Sequence, residues 1–261
     1  MALQPNTSQR PDIVPVAPRD DMTLLEHLLE LRNRVIVVAI AVIIGVAVCA
    51  FFWDVILGWL LAPARADHPE LRVVSFTPID KIGIVFKIAM YGGLILSSPV
   101  IVYEILAFVI PGLTPKERKL LLPAMFGVIF FLLAGMAFSY WVILPASLGF
   151  LIGFGDEQFE TLLGAKAYID FVTRLIFFVG LSFEMPMVLL LLGRLGVVTA
   201  RQLLGFWRYA IVLIAVLAAV VTPTPDALTM ALVMAPLFAL YFVGILFAWI
   251  FGKPRSQPVV A

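Results

Sequence analysis

A chain of 261 residues with 62% apolar and 13% charged residues and a mean hydropathy of +1.08 cannot cover a soluble domain with polar surface. Its net charge of +1 comes with no basic cluster interleaved with aromatics, so it offers nucleic acid no footprint. The single Cys49 permits no intrachain disulfide, and His27 and His68 lie in separate segments, so neither a metal nor a cofactor is expected.

The first residues, 1–21, are polar and rich in proline and lack the plan of a cleavable signal peptide. They read as a disordered cytoplasmic tail. Next comes TLLEHLLELRNR, residues 23–34, whose helical period separates two faces. Leu24, Leu28, Leu31 and Val35 fall on one side, and Glu26, Glu30, Asn33 and Arg34 on the other. Thr23 with Glu26 forms a capping box. Arg32 falls on the leucine side, where only a snorkelling stem or an acidic partner suits it. The local reading is an amphipathic helix lying on the membrane surface, the alternative being an interfacial flank that holds the first span.

Six apolar runs follow, at 35–53, 82–110, 120–144, 169–192, 203–221 and 227–250. Each approaches or exceeds the ~20 residues that cross a bilayer, the fifth only barely. The expected fold is therefore all-α, a polytopic membrane protein with six transmembrane helices over 22–250. Pro99 should tilt or bend the long second run. The connection 54–81 is too long for a tight turn and should hold short helical pieces. A rigid turn, Thr222-Pro223-Thr224-Pro225-Asp226, joins the last two runs into a hairpin. A polar cytoplasmic tail, 251–261, closes the chain. An even count places both ends on one side, and 12 of the 18 Lys and Arg share that side, which favours N-in, C-in. The chain shows no repeat of broken helices and no phosphate-binding glycine loop, hence no ATPase of its own.

Glu184 is the most expensive residue in the sequence. It lies ~12 Å from the end of the fourth run, where a lipid-facing charge costs at least ~2.5–3.5 kcal/mol. It should face a partner or a cavity, or be protonated, and Pro186 frees a carbonyl beside it. Arg174, ten residues away, is too far along the helix to pair with it. In the loop Phe108-x-x-Pro111-Gly112-Leu113-x-x-x-Glu117-Arg118, proline and glycine reverse the chain and present Glu117. Glu117 with Glu30 would place two carboxylates on the cytoplasmic face, each able to clamp a guanidinium bidentately. Asp226 or Thr224 suits the cap of the last helix.

The pattern H-L-x-E-L-R-x-R at 27–34 resembles the signature of the TatC family, the polytopic receptor subunit of the twin-arginine protein translocase. So do the stretch from Ser98 through Tyr103, Phe108 and Pro111 to Glu117 and Arg118, the group Phe183-Glu184-x-Pro186, and the 222–226 turn followed by Pro236 and Tyr241. The resemblance implies a cupped six-helix bundle in the bacterial cytoplasmic (inner) membrane, with both termini cytoplasmic. It implies a non-enzymatic protein that binds the paired arginines of signal peptides on folded cargo. It further implies an oligomeric complex with the single-span partners TatA and TatB, driven by the proton-motive force. By the same resemblance Glu30 and Glu117 would contact the arginines, with Arg32, Phe108 and Arg118 shaping that surface. Glu184 and Pro186 would form the buried polar site, and Pro223 and Asp226 the far-side turn.

Departures from the family pattern are Glu104 where Gln is expected, Leu106 where Trp is common, Asp80 for Glu, and Phe242 in place of an acid. The alternative is a proton-coupled small-solute transporter using Glu184, which calls for polar residues converging from several spans. Only Glu184 clearly sits at mid-depth. An intramembrane enzyme would need a His/Asp or Ser/Lys set at matching depths, and none is visible.

Overall fold

The computed structural model describes residues 24–67, 73–109, 121–153, 162–194, 196–222 and 227–252. Helix α1 (Leu24–Phe51) leads through α2 (Trp53–Asp67) to α3 (Pro78–Val109). Helix α4 (Leu121–Phe138) runs through a π-helical turn, Ser139–Ile143, into α5 (Leu144–Gly153). Then come α6 (Ala165–Ser182), α7 (Met185–Arg194), α8 (Ala200–Gly205), α9 (Trp207–Val221) and α10 (Ala227–Phe251). Five segments are long and apolar enough to cross a membrane: α1, α3, Met125–Gly153, Ala165–Arg194 and α10, while α9 is a shorter apolar helix. The all-α expectation holds apart from one parallel pair of two-residue strands, Val73–Val74 against Leu163–Gly164.

Three sequence expectations change. The surface helix expected at 23–34 is instead the first part of α1, a continuous helix of 28 residues. Nothing between Arg34 and Val35 breaks a helix, neither glycine nor proline, so the backbone ladder simply continues. Half of the connection 54–81 is a single 15-residue helix, α2, in place of short pieces, and its Leu61 and Ala64 are buried. Its carbonyls at Trp59 and Leu60 accept hydrogen bonds from the hydroxyls of Tyr140 (2.8 Å) and Tyr168 (2.6 Å). The fifth run is broken near Gly205 and Phe206, leaving α9 with 15 residues, or ~22 Å. There the hydroxyl of Tyr241 donates to the Leu203 carbonyl at 2.6 Å, and Phe206 N–H also turns back to it. That carbonyl is thereby drawn out of the regular ladder.

Pro99 lies inside α3 without ending it. The connection 154–161, the loop 110–120, the turn 223–226 and both expected tails lie outside the described residues.

Helix α1 packs chiefly on α3, which packs on α4 and α6, and α10 joins α7 and α9. The core lies where α5, α6, α9 and α10 meet, with Leu144, Ile169, Leu175, Ile214 and Leu237 fully buried. Two ion pairs, Lys87 with Asp170 and Lys166 with Asp80 (3.2 Å), tie the start of α3 to the start of α6.

The α1–α3 contact is close because two glycines face each other. A Cβ on Gly45 would sit 2.6 Å from the Gly93 carbonyl oxygen, and one on Gly93 would sit 2.6 Å from the Val46 nitrogen. Small residues permit such backbone approach within a membrane, where packing drives helix association. Ser97 seals the same seam by donating its hydroxyl to the Ala41 carbonyl at 2.8 Å.

Candidate functional site

The antiparallel seam determines what meets at the start of α1. Gly45 to Arg34 is eleven residues, and Gly93 to Glu104 is eleven residues in the opposite direction. Two helices running without slip therefore bring Arg34 against Glu104, and Arg34 Nη1 donates to Glu104 Oε2 at 2.9 Å. Within α1, one turn back, Arg34 Nε donates to Glu30 Oε1 at 3.0 Å. One guanidinium thus bridges two carboxylates from two helices.

All three side chains are largely shielded, with 24%, 19% and 13% of Arg34, Glu30 and Glu104 exposed. Solvent screens such a group less than a surface ion pair. The remaining oxygen, Glu30 Oε2, is enclosed and has no hydrogen-bond partner among the described residues. His27 Nδ1 lies 4.0 Å from it, and the His27 ring stacks on Phe108 at 4.4 Å. A shallow groove of about 470 Å³ runs along this cluster, lined by Glu26, Leu29, Glu30, Asn33, Arg34, Val37 and Glu104. The polar face read from the sequence of α1 is the face that lines it.

Of the sequence-predicted residues, Glu30 and Phe108 meet here, joined through His27. Arg32 is exposed and its Nη2 bonds the Asn33 side chain at 3.1 Å, away from the bridge. Glu117, Arg118, Pro223 and Asp226 lie outside the described residues. Arg34 and Glu104 are the site residues that sequence reasoning did not select. The equal spacing of each from a facing glycine is the signal that would have found them.

Glu184 stands apart from this groove, at the break between α6 and α7. Pro186 has no N–H, so the ladder is interrupted, and Glu184 N–H turns back to the Leu181 carbonyl at 3.1 Å. Phe183 wedges against Gly135, and Pro186 packs on Gly244, where a Cβ would lie 3.2 Å from the Pro186 Cα. Glu184 is 9% exposed, and neither carboxyl oxygen has a hydrogen-bond partner among the described residues. The Leu132 backbone approaches the carboxyl outside hydrogen-bonding geometry. Arg174 is exposed on α6 and does not pair with Glu184. Replacing Glu184 with Ala removes an unpaired polar group, so detergent-solubilised thermal stability should hold or rise. Lowered stability in a melting scan would show that the carboxyl is structurally bonded after all.

These features define a polytopic helical membrane protein with an acid-lined groove at one membrane face and, in a broken span, a buried carboxyl that has no hydrogen-bond partner among the described residues. Residues 26–236 match the family model described as Sec-independent protein translocase protein (TatC), and the chain belongs to that family. It is 41% identical over 247 residues to the chloroplastic Sec-independent protein translocase protein TATC of Arabidopsis thaliana, covering 95% of this chain and 69% of that one. It is 37% identical over 244 residues to the TatC of a Synechocystis strain, covering 93% and 94% of the two chains. A crystal structure of the twin arginine translocase receptor TatC superposes with a TM-score of 0.79 at 36% identity, over 85% of this chain and 98% of that one. Family membership makes this chain a core subunit of twin-arginine protein translocation, a multi-pass membrane protein and not an enzyme.

Proposed function

We propose that this subunit is the receptor for twin-arginine signal peptides and that the groove beside Glu30 is part of the recognition surface. The observation that carries the reading is the Glu30–Arg34–Glu104 bridge: the site already holds one guanidinium between two carboxylates. A geometry that accepts arginine from within the chain is suited to arginine from a ligand, because the planar fork matches carboxylates bidentately. Glu117 supplies the second acid on the same face, with Phe108, Arg32 and Arg118 around it. Both termini and this face are cytoplasmic, with tails 1–21 and 251–261 flanking a translocase domain at 22–250. The protein works in the bacterial cytoplasmic (inner) membrane, in an oligomeric complex with TatA- and TatB-type single-span subunits, on folded cargo and at the expense of the proton-motive force. Glu184 and Pro186 serve contact with those partners or cargo from within the membrane, and Pro223 and Asp226 form the far-side turn.

Binding of a fluorescent signal peptide to the detergent-purified protein tests this, comparing Arg-Arg with Lys-Lys. The expected result is a preference for Arg-Arg that is lost in Glu117→Ala. Equal binding of both peptides would reduce the surface to a generic acidic one and reopen the solute-transporter reading.

A further inference from the structure

The receptor reading gives Glu104 and Arg34 no contact with the arriving arginine. We propose that Glu104 is a positioning residue for signal recognition: by pairing with Arg34 it leaves the Glu30 cluster one negative charge in excess, so that an arriving guanidinium completes a neutral four-membered set.

The bridge is not charge-balanced. Two carboxylates, Glu30 and Glu104, share one guanidinium, Arg34, in a setting where all three are less than one-quarter exposed. Were Arg34 and Glu30 alone, they would form a closed pair, and a second guanidinium would enter a site with no net charge to meet it. Glu104 changes that. Arg34 Nη1 is committed to Glu104 Oε2, while Nε and Nη2 both address the same Glu30 oxygen, Oε1. Among the described residues Glu30 Oε2 is left with no hydrogen-bond partner. An unpartnered, enclosed carboxylate oxygen is costly unless something completes it. The nearby imidazole of His27 stands 4.0 Å off with its ring stacked on Phe108, too far for a hydrogen bond. Adding one guanidinium at Oε2 gives two acids and two guanidinium groups, with neither Arg34 nor Glu30 losing its partner.

This inference rests on the receptor reading, and its test separates the two. The Arg-Arg signal peptide is titrated against the full-length protein, Glu104→Gln, and the double variant Arg34→Gln/Glu104→Gln. The single variant brings the cluster to zero charge and should bind ~10-fold more weakly, the scale of one close charge pair at an interface. The double variant returns the cluster to one excess negative charge and should recover to within ~3-fold of wild type, because partly shielded charges dominate that interaction. A merely structural link between α1 and α3 predicts the opposite, since the double variant lacks the same ion pair and has no charge rescue. Wild-type binding that Glu104→Gln leaves unchanged, or a double variant as weak as the single one, would overturn this inference alone. No binding of the peptide by the wild type would defeat the receptor reading and this inference with it.

Discussion

Glu30→Ala is expected to lower the affinity for an Arg-Arg signal peptide by ~100-fold, while the protein still folds and extracts from the membrane as the wild type does. The size follows from the chemistry lost. Hydrogen bonds to charged groups contribute ~1.5–3 kcal/mol each, and ~2.8 kcal/mol corresponds to a hundredfold in affinity. Folding is spared because Arg34 keeps its 2.9 Å bond to Glu104, so no buried cation is stranded and α1 stays linked to α3. The same titration with Lys-Lys should fall much less, since an ammonium makes poorer use of a carboxylate pair than a guanidinium does. If Glu30→Ala binds Arg-Arg as the wild type does, the recognition surface lies elsewhere, and the groove is only a structural seam.

Gly93→Val should be the most disruptive single change in the seam. Even a bare Cβ there would lie 2.6 Å from the Val46 nitrogen and 2.7 Å from its Cα, and backbone cannot step aside as a side-chain tip can. Helix α1 must therefore lift away from α3, at a cost of about 3 kcal/mol or more in overpacking. The displacement also carries Arg34 away from Glu104 and removes the Ser97 bond to Ala41. A lowered melting temperature in detergent together with lost peptide binding is the expected outcome. Gly58→Ala and Gly83→Ala, where nothing lies within 4 Å of the added Cβ, are the matched controls and should leave both unchanged. Wild-type binding and stability in Gly93→Val would mean that the α1–α3 register does not govern the site.

Much of this was legible in residue order alone. Composition and the length of the apolar runs require a polytopic helical membrane protein, since runs of ~20 apolar residues match a spanning helix and are about twice the length of a barrel strand. The period of 23–34 marks the face bearing Glu26, Glu30, Asn33 and Arg34, which lines the groove. Pro186 beside Glu184 marks the fourth run as interrupted, because its missing N–H removes a ladder bond, and the helix breaks there, whereas Pro99 stays inside α3. The family motifs, in order across the chain, point to the family that the comparisons then establish.

What only the tertiary structure decided are matters between helices. Periodicity describes faces but not whether a helix lies on the membrane or continues into it, so the surface helix became the start of α1. The shortening of the fifth span depends on a hydroxyl from Tyr241, 38 residues beyond the Leu203 carbonyl it bonds. Arg34 and Glu104 are 70 residues apart, and neither one's local sequence names the other. Their meeting is determined by Gly45 and Gly93, which let two backbones touch and so set the register for every rung along the seam. Hydrophobicity and helical period are properties of a segment and can be read from it. The partner of a charge depends on how closely two segments approach, and that distance exists only once the chain has packed.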